Sequence, residues 1–293
     1  MRRSIPPLLA VAPNALRLSM YLLCGKFRLP LARPLIMGVV NLTPDSFSDA
    51  GKFATPQAAV VHARRLVDEG ADIIDIGGES TRPGSSGVTL EAERRRVLPV
   101  LEQLAAGPVP VSVDTQKPEL MREAIAAGAS MINDINALLA PGAIAAVAAS
   151  DVALCLMHKQ GTPASMQVDP HYDDVVAEVL AFLNQRVEAV RAAGVAAERI
   201  VIDPGFGFGK TLEHNLELLR RLERFTAAGT AVLAGVSRKS MLGRLTGRAV
   251  EERVYASVAA ALIAAQKGAR ILRVHDVAAT RDALAVWNAV NRV

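Results

Sequence analysis

Short apolar runs alternate eight times with longer amphipathic segments along the chain, and this repeat limits the possible folds. The apolar runs lie at 34–41, 71–78, 109–115, 130–135, 152–158, 199–205, 230–237 and 269–276. The segments between them carry apolar residues three and four positions apart, and most end in glycine, a common residue just after a helix. This alternation predicts eight strand–helix units in residues 34–293.

The apolar runs also indicate how the strands are arranged. Strands that are apolar on both faces are typical of a parallel sheet covered by helices. Eight such units in one chain predict an α/β fold, a (β/α)8 TIM barrel forming a single domain, with its functional site on the loops that follow the strands. A doubly wound open sheet is the alternative.

Polar side chains gather at one end of the predicted strands, which is where such a barrel has its site. The carboxyl ends of the eight strands carry Asn41, Asp75, Asp114, Asn133 with Asp134, His158, Asp203, Ser237 and His275 with Asp276. The amino ends carry no comparable set. In a barrel these residues, which are far apart in the chain, converge on one mouth.

Charge and composition exclude some classes of function. The chain has a net charge of +4, but its first 44 residues hold six basic residues and no acid. The remainder has 27 basic and 29 acidic residues, and only 4% of the chain is aromatic. A nucleic-acid partner is therefore not expected.

The cysteines and the N-terminus bear on the compartment. Two cysteines, Cys24 and Cys155, are too few for a disulfide framework and favour a reducing, cytoplasmic setting. No run of 18 uninterrupted apolar residues is present, so no membrane contact is expected. Prolines interrupt the apolar N-terminus, so we expect residues 1–23 to form a poorly ordered extension before a barrel at 24–293.

Two predicted loops carry groups that bind charged ligands. The first strand ends at Asn41 and leads into a long polar loop with Asp49, and oxygen ligands of this kind suit a hard cation such as Mg²⁺. The second strand leads into GGESTRPG at 77–84, in which Thr81 and Arg82 offer a hydroxyl and a cationic fork for phosphate or carboxylate. Pro83 and Gly84 there predict a turn.

Other strand ends combine acceptors with cations. Asp114, Asn133 and Asp203 would present two carboxylates and an amide to a ring with several N–H donors, such as the guanidine-like edge of a pterin or guanine. Lys239 in GVSRKS lies at a predicted helix start, which favours an anion. Arg273 and His275 point to the same side, and an inward Arg273 needs an anionic or π-rich partner.

Together these motifs resemble the bacterial dihydropteroate synthase family. NLTPDSFSDAG, DIGGESTRPG, SVDT, INDI, LMHKQGTP, IDPGFGFGK, GVSRKS and RVHD occur in the order that the family shows, from about Cys24 to the end. The resemblance implies a TIM barrel, commonly a homodimer, that joins p-aminobenzoate to a dihydropterin pyrophosphate with Mg²⁺ and that sulfonamides inhibit. It also implies that the C–O bond breaks first, giving a pterin methyl cation.

The resemblance implies a role for each matching residue. For the pterin these are Asp75, Asp114, Asn133, Met157, Asp203, Gly235, Lys239 and Arg273. For p-aminobenzoate they are Thr81, Arg82, Pro83, Phe208 and Ser240. The pyrophosphate would meet Asn41, Arg82, Arg273 and His275, and Mg²⁺ would meet Asn41 and Asp49. The catalytic set would be Asp114, Asp203, Lys239, Arg273 and His275.

Three positions depart from the commoner pattern of the family, and two other functions stay open. Lys159 replaces a usual Met near the mouth, Leu42 replaces a usual Val, and Ala50 replaces a usual Gly in the first long loop. One alternative function is a pterin-dependent methyltransferase that acts on a corrinoid partner. The other is a non-catalytic paralogue that binds pterin and acts through a partner.

Overall fold

The computed structural model describes residues 21–43, 55–80, 84–85, 87–162 and 165–291. Its strands are β1 Tyr21–Cys24, β2 Phe27–Pro30, β3 Leu35–Asn41, β4 Ile73–Gly77, β5 Val111–Asp114, β6 Met131–Asp134, β7 Ala153–Met157, β8 Ile200–Asp203, β9 Ala231–Ala234 and β10 Ile271–Val274. Its helices are α1 Pro56–Asp68, α2 Leu90–Leu104, α3 Pro118–Ala126, α4 Ala143–Ala148, α5 Val175–Ala192, α6 Leu212–Arg220, α7 Glu223–Thr226, α8 Ser240–Thr246, α9 Val254–Gln266 and α10 Val277–Asn291. Short 3-10 helices lie at Ala197–Arg199 and Val250–Glu252.

The strands β3 to β10 form a closed parallel barrel, in which each strand pairs with the next along the chain and β10 pairs with β3. This confirms the predicted (β/α)8 TIM barrel and excludes the doubly wound open sheet. The observed strands lie within the eight predicted apolar runs, and helices pack outside them. The main core fills the space between the barrel and the helices, with residues such as Ile36, Ile74 and Leu154 fully or almost fully buried.

Local sequence signals explain where several helices begin. Thr55, Thr89, Asp174 and Thr211 precede α1, α2, α5 and α6, and each side chain accepts a hydrogen bond from a backbone N–H in the first turn. Such caps satisfy donors that the helix itself leaves unpaired, and each stabilises the helix by about 1 kcal/mol. The caps therefore fix the points at which the chain leaves each loop of the barrel.

A hairpin that the sequence reasoning did not predict closes the other end of the barrel. Strands β1 and β2 are antiparallel, and Leu22 and Cys24 are buried in a second apolar cluster with the inward-facing residues near the amino ends of the barrel strands. The Cys24 thiol donates to the carbonyl of Ser130 at 3.2 Å. The boundary expected between residues 23 and 24 therefore falls inside β1, because residues 21–23 are ordered by this packing; residues 1–20 lie outside the described residues.

Among the described residues, none of the helices has both the length and the apolar character needed to cross a membrane.

Candidate active site

A cavity of about 470 Å³ opens at the carboxyl end of the barrel, where the polar strand ends were expected to meet. Its wall includes members of all three predicted ligand sets. They are Asn41, Asp114, Phe208, Lys239, Ser240, Arg273 and His275. The remaining predicted pterin residues lie deeper at the same end of the barrel. Asp75, Asn133, Met157, Asp203 and Gly235 are all buried there. The fold thus brings together residues that are far apart in the chain; Asp75 and Arg273, which share a hydrogen bond, are separated by 198 positions.

The centre of the site is an acidic cluster that holds one arginine. The Arg273 Nη2 atom lies 2.7 Å from Asp75 Oδ2 and 3.1 Å from Asp114 Oδ2, and its Nε donates to Asp75 at 2.7 Å. Asn133 Nδ2 donates to the same Asp75 oxygen at 3.4 Å. Arg273 therefore has the anionic partners that an inward arginine was expected to need. The other Asp75 oxygen, Oδ1, is buried without a hydrogen-bond partner among the described residues, so it can accept from a ligand.

Burial shifts the pKa of both carboxylates in the predicted catalytic set, Asp114 and Asp203. It raises the pKa of Asp114 to about 8, against the opposing attraction of Arg273. Burial also raises the pKa of Asp203, while Lys239 and the backbone N–H of Gly205 oppose this rise. Asp203 Oδ1 accepts that N–H at 2.7 Å. Shifted carboxylates in a cavity are characteristic of functional sites.

The loop after β8 requires a glycine at position 205. Gly205 has a φ of +70°, and a Cβ atom there would overlap the carbonyl oxygen of His158. A side chain would therefore push this loop off the end of β7 and move the Gly205 N–H away from Asp203.

Lys239 brings a cation to the cavity wall beside the loop after β8. Its ammonium group donates to the carbonyl of Phe206 and lies 4.5 Å from the centre of the Phe208 ring. Burial lowers the pKa of Lys239 to about 8, and Asp203 opposes this shift. The ammonium is therefore held against an aromatic ring at the cavity wall, where it can donate to a ligand.

His275 also lies at the cavity wall, next to Ser237. Its Nδ1 atom is 3.0 Å from the Ser237 hydroxyl, and its backbone N–H donates to the same oxygen at 3.2 Å. The following residue, Asp276, accepts two hydrogen bonds from Arg238, at 2.6 and 3.1 Å. The turns after β9 and β10 are thus tied together, which fixes the ring of His275 at the cavity wall.

A buried pair that the sequence reasoning missed supports the loop after β8. Lys210 Nζ lies 3.0 Å from His158 Nδ1 and 3.0 Å from the carbonyl of Phe208. Burial lowers the pKa of Lys210 to about 7 and that of His158 to about 3. His158, proposed from sequence only as a strand-end residue, therefore supports the loop that carries Phe208. No local signal shows that these two side chains meet, because 52 residues separate them.

A second missed group lies beside the loop after β4. Lys117 bridges Glu79 at 2.6 Å and the fully buried Glu93 at 2.5 Å. Burial raises the pKa of Glu93, while Lys117 opposes the rise. Nearby, Lys159, the departure from the family pattern, lies 3.3 Å from the amide oxygen of Gln116. Lys117 thus holds the Glu79 end of the loop that continues to Thr81.

Four predicted site residues lie outside the described residues. They are Asp49, Thr81, Arg82 and Pro83, and Ala50 lies outside them as well. Among the residues that are described, no cluster of three or more His, Cys, Asp or Glu side chains could hold a metal ion. Of the two residues that the sequence predicts as metal ligands, the structure therefore describes Asn41 but not Asp49.

Comparisons with known proteins agree with this geometry. A family model described as "Pterin binding enzyme" matches residues 37–275. The dihydropteroate synthase of Neisseria meningitidis serogroup B is 52% identical over 273 residues, which are 91% of this chain and 96% of the relative.

Solved structures give the same result. The dihydropteroate synthase of Xanthomonas albilineans with 4-aminobenzoic acid is 57% identical, has a TM-score of 0.89 and covers 94% of this chain and 99% of its own. The dihydropteroate synthase of Yersinia pestis with a sulfonamide drug complex is 46% identical, has a TM-score of 0.89 and covers 92% of this chain and 99% of its own. Together with the barrel, the acidic cluster and the cationic side chains of Lys239 and Arg273, these similarities show that the chain belongs to the dihydropteroate synthase family of pterin-binding transferases.

Proposed function

We propose a dissociative route for the reaction that family membership gives this chain. That reaction joins p-aminobenzoate to 6-hydroxymethyl-7,8-dihydropterin pyrophosphate and yields 7,8-dihydropteroate and pyrophosphate. One observation carries the proposal: the carboxylates of Asp75, Asp114 and Asp203 share one site with the cations of Lys239 and Arg273 and with His275. Anionic and cationic groups at one site suit a substrate that separates into a cation and a polyanion.

The deep part of the site suits the pterin ring. Asp75, Asp114 and Asp203 accept hydrogen bonds when ionised, and Asn133 can both accept and donate. Arg273 pairs with Asp75 and Asp114. We infer that the N–H donors of the pterin replace the guanidinium on these carboxylates. The freed guanidinium then stacks on the ring and meets the pyrophosphate.

The chemical step separates charge. The bond between the pterin methylene carbon and the oxygen breaks, and its electron pair leaves with the pyrophosphate. Asp114 and Asp203 stabilise the pterin methyl cation electrostatically, while Arg82, Arg273 and His275 offset the charge of the leaving group. The neutral amine of p-aminobenzoate then forms the C–N bond and loses one proton.

We propose Mg²⁺ as the metal that assists the pyrophosphate. The amide oxygen of Asn41 is a hard ligand at the cavity wall, and Mg²⁺ is commonly held by one or two protein oxygens together with substrate phosphates. Asn41 therefore fits such a site, with Asp49 as the second protein ligand. When bound, Mg²⁺ would neutralise charge on the leaving group.

We propose that p-aminobenzoate binds between Phe208 and the start of α8 at Ser240, next to the Thr81, Arg82 and Pro83 loop. Phe208 is half-buried and Ser240 is exposed, and both line the cavity. The aromatic ring gives an apolar face for the aryl group, and the helix start favours its carboxylate. Sulfonamides should compete for the same place, because they copy the shape of p-aminobenzoate.

Mass spectrometry of the product tests the function directly. The protein should form 7,8-dihydropteroate from dihydropterin pyrophosphate, p-aminobenzoate and Mg²⁺, and chelation of Mg²⁺ should abolish the product. Tight pterin binding without any product would overturn the proposal and favour the non-catalytic paralogue or the corrinoid methyltransferase.

The pH dependence of kcat/KM for dihydropterin pyrophosphate should be a narrow bell near pH 8. Asp114 must lose its proton to accept from the pterin, so activity rises with pH through its pKa of about 8. Lys239 must keep its proton to donate, so activity falls as pH passes its pKa of about 8. Rate measurements from pH 6 to 10 check the bell.

Variants assign the two limbs of this profile. Asp114→Asn should flatten the acid limb, and Lys239→Met should flatten the alkaline limb. A full acid limb in the Asp114→Asn protein would contradict the assignment.

We propose that the protein is a homodimer that pairs through α9 and α10, which pack on each other. Large apolar side chains are exposed on both helices: Tyr255 is 86% exposed, Ile263 41%, Val286 67% and Val290 77%. Such a surface favours a protein partner. Sedimentation velocity should show a dimer, and Tyr255→Glu should shift it to a monomer. A wild-type monomer at micromolar concentration would contradict the pairing.

We propose the cytoplasm as the compartment. Cys24 and Cys155 are both buried free thiols, which fits a reducing environment. Fractionation of cells that express the full chain with a fused fluorescent protein would test this.

A further inference from the structure

The turn that presents Lys239 has an unusual backbone. The N–H of Lys239 donates to the carbonyl of Val236 at 3.4 Å, which closes a tight turn over Ser237 and Arg238. Arg238 has a φ of +57°, a left-handed conformation that residues with a side chain rarely adopt. A conformation of this kind persists only when its surroundings hold it.

Helix α9 and the residue before it supply the contacts to this backbone. The hydroxyl of Ser257, in the first turn of α9, accepts the N–H of Arg238 at 2.9 Å. Arg253, just before α9, donates through Nη1 to the carbonyl of Arg238 at 3.0 Å and to that of Lys239 at 3.4 Å. Both polar groups of the Arg238 backbone are therefore satisfied from one neighbouring segment.

The Arg253 side chain is itself fixed in place. Its Nε donates to the carbonyl of Arg248 at 3.1 Å, and Ser257 donates to the Arg253 carbonyl at 2.7 Å. A Cβ atom at Gly243 in α8 would overlap the Arg253 guanidinium, so this position leaves the room that the guanidinium occupies. Arg253 is thus wedged between α8, the 248 loop and the strained turn.

We propose that Arg253 and Ser257 are positioning residues, which hold the Ser237–Lys239 turn in the conformation that aims Lys239 at the pterin. Arg253 also lies at the cavity wall, but its guanidinium donates to the backbone carbonyls of Arg238 and Lys239, and the proposed role acts through that backbone. The inference rests on the proposed pterin site, because Lys239 is the group whose placement it explains. Without the hydrogen bonds from Arg253 and Ser257, the turn relaxes to an ordinary backbone conformation and Lys239 loses its place beside Phe208.

Calorimetric titration with dihydropterin pyrophosphate and Mg²⁺, without p-aminobenzoate, tests the inference. Arg253→Met should bind the pterin about tenfold more weakly, the size expected when one charge-assisted hydrogen bond is lost. In a Lys239→Met background the same change should cost less than about twofold, because two residues that act through one interaction are not additive. Arg253→Lys should recover part of the affinity.

Gly243→Ala tests the same contact without removing the arginine. The added methyl group displaces the guanidinium, so pterin affinity should fall, while alanine favours the α8 helix. If Arg253→Met does not fold, Ser257→Ala can replace it in the test. This variant removes the other contact to the turn and should also lower the affinity for the pterin. Arg244→Met, an exposed change on the same helix, is the matched control and should bind like the wild type.

Two results would overturn the inference. One is wild-type pterin affinity in both Arg253→Met and Gly243→Ala. The other is an equal loss from Arg253→Met with and without Lys239, which would mean that Arg253 acts independently of Lys239. A wild-type protein that fails to bind the pterin would instead overturn the proposed function, so the two failures are distinguishable.

Discussion

Asp114→Asn should lower kcat by about 10²- to 10³-fold, the usual cost of removing one preorganised electrostatic group from an active site. Asp114 lies 3.1 Å from Arg273 in a site where burial raises its pKa to about 8. The amide keeps the shape of the side chain and can still accept a hydrogen bond, but it cannot carry the negative charge that opposes a pterin methyl cation. Steady-state rates at pH 8 and at several pterin concentrations measure this loss.

The split between kcat and KM decides what Asp114 does. If it stabilises the cation, kcat falls; if it only binds the pterin, KM rises and kcat stays constant. An unchanged kcat would therefore contradict the dissociative route. Asp174→Asn is a matched control, because Asp174 caps α5 at the surface and asparagine caps a helix equally well. Its kcat should equal that of the wild type.

Lys117→Met should lower the free energy of unfolding by about 3 kcal/mol, because it leaves a buried carboxylate without its cation. Lys117 contacts Glu93 at 2.5 Å and Glu79 at 2.6 Å, and the Glu93 side chain is fully buried. Glu93 Oε1 already lacks a hydrogen-bond partner among the described residues. Urea unfolding measures the loss as a lower midpoint with an unchanged slope.

The loss of stability caused by Lys117→Met should depend on pH, in a direction that the pKa of Glu93 determines. Burial raises the pKa of Glu93 in the folded protein, and removing Lys117 raises it further because Lys117 opposes that shift. At a pH above the pKa that Glu93 has in the unfolded chain, the variant can fold in two ways. Either Glu93 takes up a proton, or its charge is buried without a partner. The loss should therefore be smaller at pH 5 than at pH 8.

A surface lysine provides the control for Lys117. Lys267→Met breaks a surface ion pair with Glu223 at 3.2 Å and should cost less than about 1 kcal/mol. Equal losses in the two variants would contradict the role given to Lys117.

The barrel could be predicted from the sequence because its signals are local. Each strand is a short apolar run and each helix repeats its apolar residues three or four positions apart, so eight units are visible without knowledge of their partners. Asp75, Asp114, Asn133 and Asp203 could be placed in the site for the same reason. They lie at or within two residues of the carboxyl ends of their strands, and the carboxyl ends of parallel strands meet at one face.

The β1–β2 hairpin could not be predicted in this way. Its strands have four residues each, and a short hairpin has little stability of its own. It is ordered because Leu22 and Cys24 pack against the inward-facing residues of the barrel floor. That surface exists only after the barrel has closed.

The barrel, the mouth at which the site lies and most of the side chains that line it follow from patterns along the chain. The pairing of these groups follows from the folded arrangement alone. Three groups of contacts show this: Arg273 with Asp75 and Asp114, Lys117 with Glu93 and Glu79, and Arg253 with the Arg238 backbone. The residues in each pair are 15 to 198 positions apart. Hydrogen bonds and ion pairs depend on distances of about 3 Å, and no periodic pattern along a chain encodes such distances.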